Sequence, residues 1–235
     1  MKFFLVVASP RTGSTLLTKC LKPFCAGEIW THPKNANRTF EETRRNPDQF
    51  FRSFTTHILP PNMNWYGAKL HTVQLEEMLP FEDGYSKLFS GIESAVFLRR
   101  KNLTEQAISD TVMRRFKKPI GKGLEIGPLV FDVSNLKTKA ENWVSWYQRW
   151  SVYAQSKCKV MPLWYEELDA DVVGVVNKVR QFLGLPRKNT LNHGMKKQRS
   201  PDTYKKIITN YNQIVEEMGK VYGVPFGKPG NRWKY

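Results

Sequence analysis

The sequence predicts an α/β fold: a mostly parallel central sheet with helices packed on both faces, three layers in all. Three observations predict it. Short apolar runs alternate with longer amphipathic stretches along the chain, as repeated βαβ units require. The first run, "FFLVVA", passes through a short loop of small and polar residues directly into a helical stretch, the layout of a phosphate-binding loop. Finally, 235 residues that are 40% hydrophobic and 13% aromatic suffice for one domain with a buried core. No linker, repeat or low-complexity tract divides the chain, so a single domain over residues 1–235 is expected.

The elements follow in order. "MKFFLVVA" reads as the first strand; its apolar run is shorter than the roughly 7–15 residues of a signal peptide, and it feeds the phosphate loop. A helix is expected over about 14–22, then an irregular stretch, "AGEIWTHPKN", with Gly, Pro and Asn. In "NPDQFFRSFTTHI", Asn46 caps a helix, Pro47 takes its first turn, and Phe50, Phe51 and Phe54 share one side. "WYGAKL" reads as a short strand, "HTVQLEEML" as a helix, and "SAVFLRR" as a buried strand ending in polar residues. "NLTEQAISDTVMRRFKK" is a basic amphipathic helix that stops at Pro119, and "PIGKGLEIGP" is a loop. "KTKAENWVSWYQRWSVYAQ" is a long helix with Trp143, Trp146, Trp150 and Tyr153 at helical spacing, a core stripe. "CKVMPLWY" is a strand, "VVGVVNKVRQFLGLP" a helix closed by Gly184 and Pro186, and "SPDTYKKIITNYNQIVEEMGKVYG" one last helix capped by Ser200.

Lys and Arg outnumber Asp and Glu by 37 to 21, a formal charge of +16. That surplus favours anionic partners without choosing among nucleotide, nucleic acid, acidic glycan or membrane face. Cys20, Cys25 and Cys158 show no CxxC or metal-ligand spacing, so a reduced compartment and a soluble, cytoplasmic protein are expected. No stretch approaches the roughly 18 consecutive apolar residues of a membrane span.

The phosphate-loop pattern GxxxxGK[ST] can be laid on "ASPRTGST" position by position. Ala8 stands at the first glycine, Gly13 at the second and Thr15 at the hydroxyl residue, but Ser14 stands where the lysine belongs. The turn's amides still form an anion site of the P-loop type, and Arg11 replaces the missing cation. Nucleoside-triphosphate enzymes also need a strand-end Asp for magnesium. "AVFL" ends instead in Arg99 and Arg100. Direct positive charge, with no metal ion, is the expected means of holding phosphate.

"SPRTGST" after the first strand and "LRRKNLTEQAIS" after a later one resemble the two nucleotide signatures of sulfotransferases that use 3′-phosphoadenosine 5′-phosphosulfate (PAPS). The Arg100-to-Ser109 spacing of nine, with Gln-Ala before the Ser, is similar to the bacterial carbohydrate branch, which includes trehalose, lipopolysaccharide and Nod-factor sulfotransferases. "LWYEELDADVVGVVNKVRQFLGLP" and "MKKQRSPDTYKKIITNY" resemble later segments of the family.

The resemblance implies roles. Arg11, Thr12, Gly13, Ser14 and Thr15 would surround the 5′-phosphosulfate, with Arg11 also countering charge as the sulfuryl group leaves. Arg100 and Ser109 would hold the 3′-phosphate; the plain alternatives are a solvated strand-end charge and a locally bonded helix serine. Lys196, Lys197, Gln198 and Arg199 would close over the nucleotide, unless they are simply a solvated loop. Glu166 would be structural. A base must take the acceptor's proton; Glu28 stands where the carbohydrate sulfotransferases that this chain resembles carry an acidic base and is the first candidate, with His71 and His32 behind it. Lys69 is placed to touch the acceptor or to be a strand-end surface charge.

The implied reaction is metal-independent, in-line transfer of a sulfuryl group from PAPS to a hydroxyl of a carbohydrate, glycolipid or small metabolite. The product nucleotide is 3′,5′-adenosine bisphosphate (PAP). The alternative, a P-loop nucleotide kinase or other nucleoside triphosphatase, needs a lysine at position 14 and a strand-end Asp. A nucleic-acid binder is suggested by charge alone; the paired aromatic-basic sheet motifs of RNA readers are missing, so nucleic acid is not an expected partner. Residues 27–65 and 117–137 carry no readable acceptor code.

Overall fold

The computed structural model describes residues 2–28, 65–78, 86, 88–116, 127–190 and 201–222. The strands are β1 (Lys2–Ala8), β2 (Cys25–Glu28), β3 (Trp65–His71), β4 (Ser94–Arg99) and β5 (Lys159–Trp164). The described helices are α1 (Ser14–Cys20), α2 (Thr72–Met78), α3 (Leu103–Phe116), α4 (Val133–Gln155), α5 (Tyr165–Ala170), α6 (Val172–Phe182), α7 (Pro201–Ile207) and α8 (Tyr211–Tyr222). The chain forms two compact units, Met1–Arg99 with Ser145–His193 and Arg100–Val144 with Gly194–Tyr235.

The first unit holds the sheet, all parallel and ordered β2-β3-β1-β4-β5. Central β1 is buried on both faces, so its apolar residues divide by the period of two. Leu5 and Val7 join Ala68, Leu70, Ala95 and Phe97 on one face, beneath Leu75 of α2 and Tyr147, Trp150 and Ala154 of α4. Phe4, Val6 and Ala8 join Val96 and Leu98 on the other, beneath Leu17 and Cys20 of α1 and Val175, Val176 and Val179 of α6. This is the expected three-layer α/β arrangement. Trp150 is fully buried and stacks on Phe89 at 6.0 Å between ring centroids. Its indole N–H donates to Glu76 Oε1 at 2.7 Å, and Arg149 donates to Glu76 Oε2 at 2.7 Å, tying α4 to α2. Trp146 and Tyr153 pack against the same core, so the aromatic stripe is structural.

Helix ends follow their residues. Asp171 caps α6 by accepting from the Gly174 N–H at 2.8 Å, and Gly184 at φ 69° turns the chain after it.

In the second unit Leu129 and Ile208 form a parallel bridge, with the Leu129 N–H donating to Ile207 O and the Thr209 N–H donating to Leu129 O. The amide of Asn210 clamps Phe131 from both sides: its Oδ1 accepts from the Phe131 N–H at 3.1 Å and its Nδ2 donates to Phe131 O at 2.8 Å.

That clamp corrects one expectation. The single helix expected after Ser200 is two, α7 and α8. Backbone groups at Ile207 and Thr209 bond to Leu129 instead of continuing the helix, so the chain breaks where "IITN" meets it. A second correction concerns "AGEIW", expected to be irregular. Cys25–Glu28 pairs with β3 as a short edge strand, seeded by the Gly67 N–H donating to Phe24 O at 2.7 Å. The expected helix over residues 46–58 and most of the loop over residues 119–128 lie outside the described residues. No helix among the described residues is long and apolar enough to cross a membrane.

Candidate active site

The loop between β1 and α1 is built from within. Thr12 is fully buried, and its hydroxyl donates to Ser9 O at 2.8 Å, folding the loop onto itself. Ser9 Oγ lies 3.1 Å from Thr72 Oγ1 at the start of α2, which anchors the loop to the next strand's end. Arg11 adopts φ 64° and Gly13 φ 78°. Left-handed residues at these positions turn successive amides toward one concave side, the geometry that receives anions. Gly13 is required twice over, for its backbone angle and for space. A Cβ there would stand 2.5 Å from Tyr165 Cδ2 and 2.8 Å from Cε2. Ser14 is buried at the first position of α1, and Thr15 is exposed.

His71 ends β3 directly beside this loop, in register with Ala8. Its Nδ1 lies 3.1 Å from Ala8 O. A carbonyl oxygen only accepts, so Nδ1 carries the hydrogen, and a neutral ring then has its basic lone pair on Nε2. The backbone N–H of His71 donates to Gln74 Oε1 at 2.6 Å. Lys69, two residues earlier on β3, is buried and stands in register with Val6 on β1 and Glu28 on β2. β3 therefore places Lys69 and His71 on one face of the sheet, with Glu28 at the end of the neighbouring strand. Of the two readings of Lys69, the strand-end surface charge fails, because the side chain is covered.

β4 ends in Arg99, whose guanidinium lies 3.7 Å from the Trp164 ring centroid and 4.7 Å from that of Tyr147. Trp164 precedes Tyr165, so the aromatic stack on Arg99 ends next to the ring beneath Gly13. Neither contact was readable from local sequence, because Arg99 lies on β4 and its partners Trp164 and Tyr147 lie on β5 and α4.

The second unit begins at Arg100. Arg100 Nη2 pairs with Glu105 Oε2 at 2.5 Å. Asn102 caps α3, its Oδ1 accepting from the Glu105 N–H at 2.9 Å. Ser109 is buried on α3. The adjacent Asp110, also buried, pairs with Arg114 at 2.8 Å and Lys139 at 3.4 Å. The capping pattern Asn102-x-x-Glu105 was present in the sequence. It signalled a helix start, but not that the carboxylate would turn back to Arg100.

Lys196, Lys197, Gln198, Arg199 and His32 lie outside the described residues. Glu166 lies in the first turn of α5. Cys20, Cys25 and Cys158 form no disulfide. Burial pushes the Cys158 thiol up to about 11 and raises that of Cys20, so both stay protonated near neutrality and are poor nucleophiles. Among the described residues no group of three or more His, Cys, Asp or Glu is placed to hold a metal ion.

Sheet order, covered faces and the tight loop after the central strand define a three-layer parallel α/β protein. The chain belongs to the sulfotransferase family: the sulfotransferase domain matches residues 2–229, spanning both units. It is accordingly an enzyme of sulfuryl transfer. Among solved structures it is similar to a sulfotransferase from Alicyclobacillus acidocaldarius, at 13% identity and TM-score 0.51 over 95% of this chain and 96% of that one, which places the fold. It is also similar to mouse sulfotransferase SULT7A1 complexed with PAP, at 16% identity and TM-score 0.46 over 89% of this chain and 64% of that one. A sulfotransferase domain from the curacin biosynthetic pathway gives 16% identity and TM-score 0.47 over 98% of this chain and 93% of that one. No curated protein matches the sequence.

Proposed function

We propose that the chain transfers a sulfuryl group from PAPS to a hydroxyl of a carbohydrate, glycolipid or small metabolite, leaving PAP. Residues 1–235 act as one cytoplasmic sulfotransferase domain of the bacterial carbohydrate type. The observation that carries this reading is the lysine-less loop itself. Its left-handed Arg11 and Gly13 turn backbone amides to one side, and His71 is pinned to the last carbonyl of β1 beside it.

The donor group fits the residues present. It would bring a phosphosulfate, which backbone amides and one arginine can bind without further help. The loop amides from Arg11 to Ser14, with the Thr15 hydroxyl, hold the 5′-phosphosulfate. Thr12 takes part through its amide, because its hydroxyl is committed to Ser9 O. Arg100 and Ser109 hold the 3′-phosphate, and Lys196, Lys197, Gln198 and Arg199 close over the nucleotide. The donor supplies the sulfuryl group, whose bond to the bridging phosphate oxygen breaks as its bond to the acceptor oxygen forms. His71 Nε2 takes the acceptor's proton, its ring steadied through Nδ1 by Ala8 O. Arg11 meets the charge that grows on the departing oxygen; losing such a donor costs roughly 2.7–4 kcal/mol of transition-state stabilisation. Glu28, on the neighbouring strand, and His32 are the other candidate bases.

Kinase chemistry is not favoured, because position 14 is Ser and β4 ends in Arg99. The deciding experiment is transfer of radiolabelled sulfate from PAPS to a panel of glycans and small alcohols. Label on an acceptor hydroxyl, with PAP released and activity lost in Arg11→Ala, supports the reading. No transfer to any acceptor, together with stabilisation by ATP and magnesium but not by PAP, overturns it.

A further inference from the structure

Arg100 is already engaged. Its Nη2 meets Glu105 Oε2 at 2.5 Å, and the two side chains are 9% and 16% exposed. A pair so shielded from water keeps more of its Coulomb attraction than a surface ion pair does. The carboxylate also starts from a fixed point. The Glu105 N–H donates to the cap Asn102 Oδ1 at 2.9 Å, and the Gln106 N–H to Asn102 O at 3.1 Å. Glu105 thus reaches the Arg100 guanidinium from an anchored backbone.

We infer that Glu105 is a positioning residue for Arg100 and sets the strength with which Arg100 grips a phosphate. The inference rests on the reading that Arg100 holds the 3′-phosphate. A guanidinium shared with a carboxylate is oriented before the nucleotide arrives, so less rotamer freedom is lost on binding. The same carboxylate repels the incoming phosphate, most strongly when that phosphate is doubly charged. The pair therefore trades affinity for release: PAP is held in a defined orientation yet leaves readily once the sulfuryl group has gone.

The test measures PAP affinity in the full chain for the wild type, Glu105→Gln, Glu105→Asp, Arg100→Ala and the Arg100→Ala/Glu105→Gln double variant. Gln keeps the length and one acceptor oxygen but removes the charge. Glu105→Gln is expected to lower the Kd for PAP about 3- to 10-fold at pH 7.5. The gap should narrow at pH 5.5, where the 3′-phosphate, with a second pKa of about 6, carries less charge. Glu105→Asp should stay near wild type, and the effect of Gln should vanish in the Arg100→Ala background. In turnover, Glu105→Gln should lower KM for PAPS and also lower kcat, as product release slows. If Arg100→Ala weakens PAP binding while Glu105→Gln leaves it unchanged or weaker, this inference is wrong and the reading of Arg100 stands. If Arg100→Ala leaves PAP binding unchanged, the reading of Arg100 fails, and the inference with it.

Discussion

His71 shows how one hydrogen bond fixes which ring nitrogen donates. Because Ala8 O must accept, Nδ1 must donate, and the neutral ring is left with its acceptor at Nε2. On the proposed reading His71 is the base, and replacing it is expected to cost turnover without disturbing the nucleotide loop. We expect His71→Gln to lower turnover by about 10²- to 10⁴-fold while leaving the affinity for PAP near wild type, read by steady-state rates and calorimetry. Glu28→Gln is the control: a fall of that size there, with His71→Gln active, would move the base to β2. Arg99 makes the contrasting case. Its guanidinium stacks between Trp164 and Tyr147 at the end of β4, an arrangement that joins that strand end to the residue preceding Tyr165.

At the scale of elements, the strand-to-helix loop depends on a packing partner from far along the chain. Tyr165, opening α5, fills the space where a Gly13 side chain would go. Gly13→Ala therefore meets both a left-handed backbone, which costs an L-residue roughly 1–2 kcal/mol, and a ring in the way. We expect it to lower the unfolding midpoint and to weaken PAP binding, whereas Gly13→Ala with Tyr165→Ala should recover part of the binding by relieving the clash. Equal loss in the single and double variants would show that Tyr165 does not shape the loop. β1 and β3 show the same logic in the core: a Cβ on Gly67 would lie within the ring of Phe4, in register across the pair. This glycine is what allows a large aromatic at the centre of the sheet.

For the whole molecule, the charge of +16 and the absence of a strand-end acid on β4 lead to one expectation. PAP should raise the thermal midpoint without added metal, chelation with EDTA should leave the rise intact, and added salt should reduce it as the positive field is screened. A rise that appeared only with magnesium would contradict direct cationic binding. The sulfotransferase match over residues 2–229 runs through both compact units, so such measurements belong to the full chain.

Much of this is legible in the sequence. Short continuous apolar runs predicted the strands, because burial on both faces leaves few other residue types possible. "SPRTGST" announced the loop, because small residues and a left-handed glycine have few other uses between a strand and a helix. Local signals failed where long-range hydrogen bonds compete with local ones. The break before α8 depends on Leu129 and Phe131, and the short strand β2 on pairing with β3.

By itself, the sequence determined the layered fold, the loop and the family, since each is written in short-range pattern and residue type. Only tertiary structure decided which nitrogen of His71 is basic, what lies beneath Gly13, and that Arg100 meets a carboxylate. Those depend on atoms brought within bonding distance by folding, and a hydrogen bond or an ion pair acts over a few ångströms of space whatever the separation along the chain.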